Sequence, residues 1–148
     1  MTQALSPEDL ARAAGRVMWE ADRATRGLGI TLNEIGPGRA RLSLSVTEEM
    51  TNGHGTCHGG FVFSLADSAF AFACNSYNQR TVAHMASITF LAPGLPGMTL
   101  TAEAREVARQ GRNGIYDIRV SDQNGTHIAE FRGHSRTVKG THLPENSE

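Results

Sequence analysis

Thr51-Asn-Gly-His-Gly-Thr-Cys-His-Gly-Gly60-Phe-Val-Phe-Ser-Leu-Ala-Asp67-Ser-Ala-Phe-Ala-Phe-Ala-Cys-Asn-Ser-Tyr77 is the stretch on which the fold turns. Its first ten residues hold four glycines and two histidines, a loop composition, and they run without a linker into an apolar segment. Leu65, Ala69, Phe72 and Ser76 recur at helical spacing, and most residues between them are also small or apolar. Positions 60–77 therefore predict one central helix buried on nearly all sides. A helix of that kind must be enclosed by the rest of the chain.

Outward from this stretch the period changes to two. On the N-terminal side Ala40, Leu42, Leu44 and Val46 alternate with Arg39, Arg41, Ser43 and Ser45, a half-buried strand. Gly36-Pro37-Gly38 reads as a hairpin turn from an earlier strand near 30–35. On the C-terminal side strands are expected at 81–91, 98–109, 113–122 and 126–138, with Asn124-Gly125 supplying the positive-φ residues of a hairpin turn. Ser6-Pro7-Glu8-Asp9 is a helix start, followed by Leu10, Ala14, Val17 and Ala21, so residues 7–26 predict an amphipathic helix stopped at Gly27 and Gly29.

One helix cannot cover both faces of a six-stranded sheet. An α+β fold with a curled antiparallel sheet wrapped around the helix meets the burial requirement, and its open edge strand favours a second subunit. The expected division is an N-terminal helical extension at 1–27, the main domain at 28–140 and a flexible tail at 141–148.

Composition narrows the function classes. Fourteen basic against fifteen acidic residues give a net charge of -1 and no basic field for nucleic acid. The longest mostly apolar stretch, 61–74, is too short to cross a bilayer, and the first residues carry no secretion pattern. Two cysteines, Cys57 and Cys74, are too few for a disulfide framework, which points to the reducing cytoplasm.

Two features of 52–67 suggest chemistry. Gly59 and Gly60 stand at the start of the helix, where backbone N–H groups lack intrahelical partners and a ligand carbonyl can approach closely, as in an oxyanion hole. Asp67 lies in the middle of the apolar helix, where a carboxylate is costly unless paired or working. Eight helical residues separate the two, about 12 Å of rise and about 80° of rotation. Joint action at contact distance therefore requires the partner subunit's Asp67, most simply across a two-fold axis.

With the residues in place, a family resemblance follows. Asn52-Gly-His-Gly-Thr-Cys-His58-Gly59-Gly60 followed by Ser64-Leu-Ala-Asp67 resembles the signature of hotdog-fold acyl-CoA thioesterases of the phenylacetate-degradation (PaaI) type. The similarity continues through 69–76, Phe90-Leu-Ala-Pro-Gly94, Tyr116-Asp-Ile118 and Phe131-Arg-Gly133, and spans about 28–140. It implies that Gly59 donates its N–H to the thioester oxygen, that Asp67 attacks the carbonyl or activates water, that Asn52 holds water or the carboxylate, and that His58 orients the thioester. Some relatives carry a water-holding serine on the strand after the helix, and the matching position here is Ala83. The resemblance also implies an aryl-acyl-CoA substrate, no cofactor, and a homodimer or homotetramer. Gly60, Phe61, Val62 and Phe63 are expected to line the acyl site, and Arg112 and Arg136 to meet the CoA phosphates.

Each signal has a plain structural alternative. The glycines can serve a tight turn alone, Asp67 can be a buried hydrogen-bonder, Asn52 a turn residue and His58 a cap. His54, Cys57 and His58 could ligate a metal, but no fourth ligand follows at a fitting spacing, and adjacent Cys57 and His58 side chains tend to point apart. Alternatives to hydrolysis are an acyl-thioester hydratase or dehydratase, which would pair His58 with Asp67, and a non-catalytic acyl-CoA-binding module.

Overall fold

The computed structural model describes residues 4–145. The order of elements is α1 (Pro7–Ala21), α2 (Arg23–Gly27), β1 (Thr31–Gly36), β2 (Arg39–Ser45), a short 3-10 turn (Glu48–Met50), α3 (Gly59–Cys74), β3 (Gln79–Phe90), β4 (Thr99–Gln110), β5 (Asn113–Ser121) and β6 (His127–Thr141). All six strands form one antiparallel sheet in the order β1-β2-β4-β5-β6-β3. The sheet curls around α3, which packs on the inner faces of β2, β4, β5 and β6. This is the α+β arrangement that the apolar stretch predicts.

The core sits between α3 and the inward residues of the strands. Leu65, Phe70 and Phe72 of α3 are fully buried against Leu42, Leu100, Ile118 and Phe131. Burying each of these large side chains stabilises the fold by about 1.5–3 kcal/mol. Phe70 lies so close to β6 that a Cβ on Gly133 would come within 2.7 Å of its ring. A glycine inside a strand is otherwise weakening, and here the ring of Phe70 takes the space a side chain would fill.

The first helix is shorter than the spacing predicts. Asp22 leaves helical geometry at the end of α1, and its carboxylate then caps α2 by accepting from the Thr25 N–H and Oγ1 at 2.9 and 2.6 Å. Thr25, itself buried, is 2.8 Å from Ser68 Oγ on α3, so the N-terminal helices are tied to the central one. Ala11 and Ala14 are fully buried, and Gly15 lies against Ile35 of β1.

The central helix likewise begins at Gly59 and ends at Cys74, not at 60 and 77. Asn75 ends it: its Nδ2 donates to the carbonyls of Ala71 and Thr81, and its Oδ1 accepts from the Thr81 N–H. The buried Ser76 hydroxyl accepts from the Gly38 N–H at 2.8 Å, which fastens the β1–β2 turn. At the same end Glu106 accepts from the hydroxyls of Tyr77 and Tyr116, and the Arg109 guanidinium stacks 3.5 Å above the Tyr77 ring.

In the β5–β6 turn only Gly125, not Asn124, has positive φ. Asp122 organises that turn by accepting from the N–H groups of Asn124 and Thr126. The end of the chain is tied down further than expected. Thr141 belongs to β6, and the N–H groups of His142 and Leu143 donate to Asn78 Oδ1. Residues 146–148 of the expected tail lie outside the described residues.

Candidate active site

The glycine-rich loop is built around Asn52. Its Oδ1 accepts from the His54 N–H at 2.9 Å and the Thr56 N–H at 3.3 Å, while its Nδ2 lies 3.1 Å from Thr56 Oγ1. Asn52 is thus the turn residue of the loop, and its amide retains a second N–H for a ligand. Cys57 is buried beneath the loop, where its N–H donates to the Gly94 carbonyl and desolvation pushes its thiol up. A buried thiol of raised pKa is a poor nucleophile. Cys74, pushed up to about 12 by burial, is a core thiol.

His58 is the N-cap of α3. Its Nδ1 accepts from the Gly60 N–H at 2.9 Å, and its carbonyl accepts from the Phe61 N–H at 3.0 Å. The first turn is therefore satisfied at Gly60 and Phe61, while the Gly59 N–H has no acceptor among the described residues. That single open donor stands at the positive end of the helix dipole. His54, Cys57 and His58 do not converge, and among the described residues no group of three His, Cys, Asp or Glu side chains could hold a metal ion.

Gly59 lines a cleft of about 400 Å³ between the loop, the start of α3 and the end of β3. Asn52, Thr56, Val62 and Phe90 line it, together with the 91–94 turn. Larger grooves lie between α1 and β1 and on the outer face of the sheet, where charged side chains already pair, as Arg39 does with Glu8 and Arg41 with Glu34.

Asp67 lies two turns along α3 on a stripe with Gly60, Ser64 and Ala71 that the sheet leaves uncovered. It is half-buried, and desolvation pushes its carboxyl above the ordinary range with no hydrogen bond or ion pair among the described residues to pull it back. Within one protomer Asp67 is not brought to the cleft at Gly59.

The remaining expected residues separate. Of Phe61, Val62 and Phe63, only Val62 lines the cleft, and Phe63 packs edge-on against the core ring of Phe131 at 5.2 Å. Arg112 and Arg136 lie near one another, since Asn113 pairs with Arg136 and the Thr137 N–H donates to the Arg112 carbonyl. They sit at the far end of β3: Arg136 pairs with Val82 and Ala129 with Phe90, eight residues or about 26 Å along the strand. Ala83 lies at the same far end, opposite Ser135. Phe90 and Thr56 are the cleft residues that patterning misses. Phe90 has the inward parity of Ala86 and Ile88 and falls just before Pro93-Gly94, a signal available in the alternation.

Residues 54–129 match the family described as the Thioesterase superfamily, a span that takes in the end of the loop, α3 and every cleft-lining residue except Asn52. The chain belongs to the thioesterase superfamily. Within this superfamily it is 46% identical over 125 residues to the acyl-coenzyme A thioesterase PaaI of Escherichia coli (strain K12), covering 84% of this chain and 89% of that one. It is 34% identical over 115 residues to acyl-coenzyme A thioesterase 13 of Homo sapiens, covering 76% and 77%. The structure of the E. coli PaaI protein from the phenylacetic acid degradation operon superposes with a TM-score of 0.90 at 42% identity, covering 92% of this chain and 99% of that one.

Proposed function

We propose that this thioesterase hydrolyses aryl-acyl-CoA thioesters, of the phenylacetyl-CoA or ring-hydroxylated phenylacetyl-CoA type, to the free acid and CoA. The observation that carries the reading is the pairing of one open donor with one unpaired base. Among the described residues the Gly59 N–H at the start of α3 has no acceptor, and the desolvated Asp67 has no partner on the uncovered stripe of the same helix. The identity to E. coli PaaI supports the substrate class.

In this mechanism the thioester oxygen accepts from the Gly59 N–H, and charge developing on that oxygen is held by the donor and the helix dipole. The partner subunit's Asp67 attacks the carbonyl carbon, or takes a proton from a water that does so. The free N–H of Asn52 holds the water or the carboxylate. Collapse of the tetrahedral intermediate expels the CoA thiolate, which takes up a proton. On the water route this leaves the free acid. On the nucleophilic route it leaves a mixed anhydride on the partner subunit's Asp67, which a water then hydrolyses to the free acid and the carboxylate. No redox or metal chemistry enters these steps.

An open sheet edge supports the proposed assembly. β3 is an edge strand of twelve residues whose outer side pairs with no strand among the described residues, and Val82 and Met85 on it are exposed. Two such edges pair about a two-fold axis near the middle of β3. This brings the open stripes of the two α3 helices together and carries the partner subunit's Arg112 and Arg136 toward the Gly59 end, where they meet the CoA phosphates. Two such dimers form the tetramer. Among the described residues no helix is long and apolar enough to cross a membrane; a cytoplasmic site of action belongs to the same proposal and suits the two free cysteines, Cys57 and Cys74. Incubating purified protein with a panel of aryl and aliphatic acyl-CoAs and a thiol reagent tests the reading. Thiol release with the aryl substrates is expected; intact acyl-CoA recovered from every incubation would contradict it.

A further inference from the structure

One aromatic side chain in the cleft is given no work by the catalytic steps. Phe90 pairs with Ala129, Ile88 with Phe131 and Ala86 with Gly133, all in the inward-facing register of the sheet. Ile88 and Ala86 are partly buried against the core, whereas Phe90, at the level where α3 begins, is 54% exposed. The ring's far edge meets the helix start: a Cβ on Gly59 would lie 3.0, 3.3 and 3.6 Å from its Cζ, Cε1 and Cε2 atoms. An exposed inward-facing ring thus touches the residue whose N–H is the free donor of the site, inside the same cleft as Asn52 and Val62. With 54% of its surface exposed, the Phe90 side chain has area left for a ligand.

We propose that Phe90 determines acyl specificity by forming the aromatic wall against which an aryl-acyl group packs while its thioester oxygen is held at Gly59. The proposal rests on the thioesterase reading above. A carbonyl bound at the Gly59 N–H places the first acyl carbons beside this ring, and a following aryl group falls in the range of about 4.5–7 Å between centroids where ring pairs attract. An alkyl chain gains the apolar contact but not the ring–ring component.

The test compares Phe90→Leu, which keeps apolar bulk without a π face, with Phe90→Tyr, which keeps the ring. For each, kcat and KM are measured with phenylacetyl-CoA and octanoyl-CoA, and the oligomeric state is checked by light scattering. The aryl-to-alkyl ratio of kcat/KM is expected to fall roughly 3- to 10-fold in Phe90→Leu and to stay within about 2-fold of wild type in Phe90→Tyr. Equal losses on both substrates in Phe90→Leu, or no loss on either, would overturn the specificity role, the first because it reports packing alone. A wild-type protein that cleaves no acyl-CoA would remove the thioesterase reading and this proposal with it. An active wild type with an unmoved ratio would remove only the proposal.

Discussion

The Gly60 N–H donates to His58 Nδ1 at 2.9 Å, so the imidazole next to the Gly59 amide is the cap of its helix. An accepting Nδ1 carries no proton, which places the proton of the neutral ring on Nε2. The cap engages the Gly60 N–H and leaves the Gly59 N–H without an acceptor among the described residues.

Capping and substrate contact at His58 separate by substitution. His58→Ala removes the cap and is expected to lower stability by about 1 kcal/mol, whereas His58→Asn keeps a capping oxygen and restores most of it. Because Asn lacks the outward Nε2–H, kcat/KM should remain reduced in both variants. Thermal melts beside steady-state kinetics decide this, and full recovery of kcat/KM in His58→Asn would leave His58 a cap and nothing more.

Asp67 predicts opposite movements of stability and turnover. Its folded pKa is raised by desolvation above the ordinary 3.8. The stability linked to its proton is therefore present below that ordinary value and lost as pH rises through the folded pKa. Asp67→Asn removes the ionisation, so its Tm should exceed that of wild type at pH 7, with the difference vanishing below about pH 4. Turnover should drop by roughly 10²- to 10⁴-fold. Melts at the two pH values with kcat at pH 7 check both halves. Wild-type turnover in the variant would remove Asp67 from the mechanism.

The packing of Phe70 on β6 gives a prediction about the scaffold. Gly133→Ala places a methyl within 2.7 Å of the Phe70 ring, which already packs against Tyr116 and Phe131. Overpacking of this kind is expected to destabilise by about 1–3 kcal/mol. Denaturant unfolding measures it, and an unchanged midpoint would mean that the core yields more readily than its packing implies.

The central helix and the strand count are legible in the sequence because apolar density and period two are local signals. The ends of elements are less so. Residues 7–26 carry one helical pattern, and only the Asp22 carboxylate, aimed at Thr25, splits it in two. Apolar character continues to Tyr77, yet Asn75 stops the helix through bonds to Thr81, a partner that exists only once β3 has docked. In the site, Gly59, Asn52 and Asp67 stand out as residue types ill suited to packing. Phe90 does not, since one aromatic residue in an alternating strand is ordinary until the helix is seen to begin at its level. Likewise nothing in the 58–60 triplet says which amide is free; the orientation of the His58 ring decides that.

The claim that each site is shared between subunits is tested most directly by complementation. Gly59→Pro removes the oxyanion-site N–H at the first position of α3, where proline is tolerated by the helix, although its ring must displace Phe90 and its assembly is verified first. Asp67→Asn removes the carboxylate. When the two inactive variants exchange subunits, one site of each heterodimer carries both lesions and the other is whole. With about half of the dimers mixed, and half of their sites intact, roughly a quarter of wild-type thioester hydrolysis should return. Verified heterodimers with no activity would contradict a site built from the Gly59 of one subunit and the Asp67 of the other.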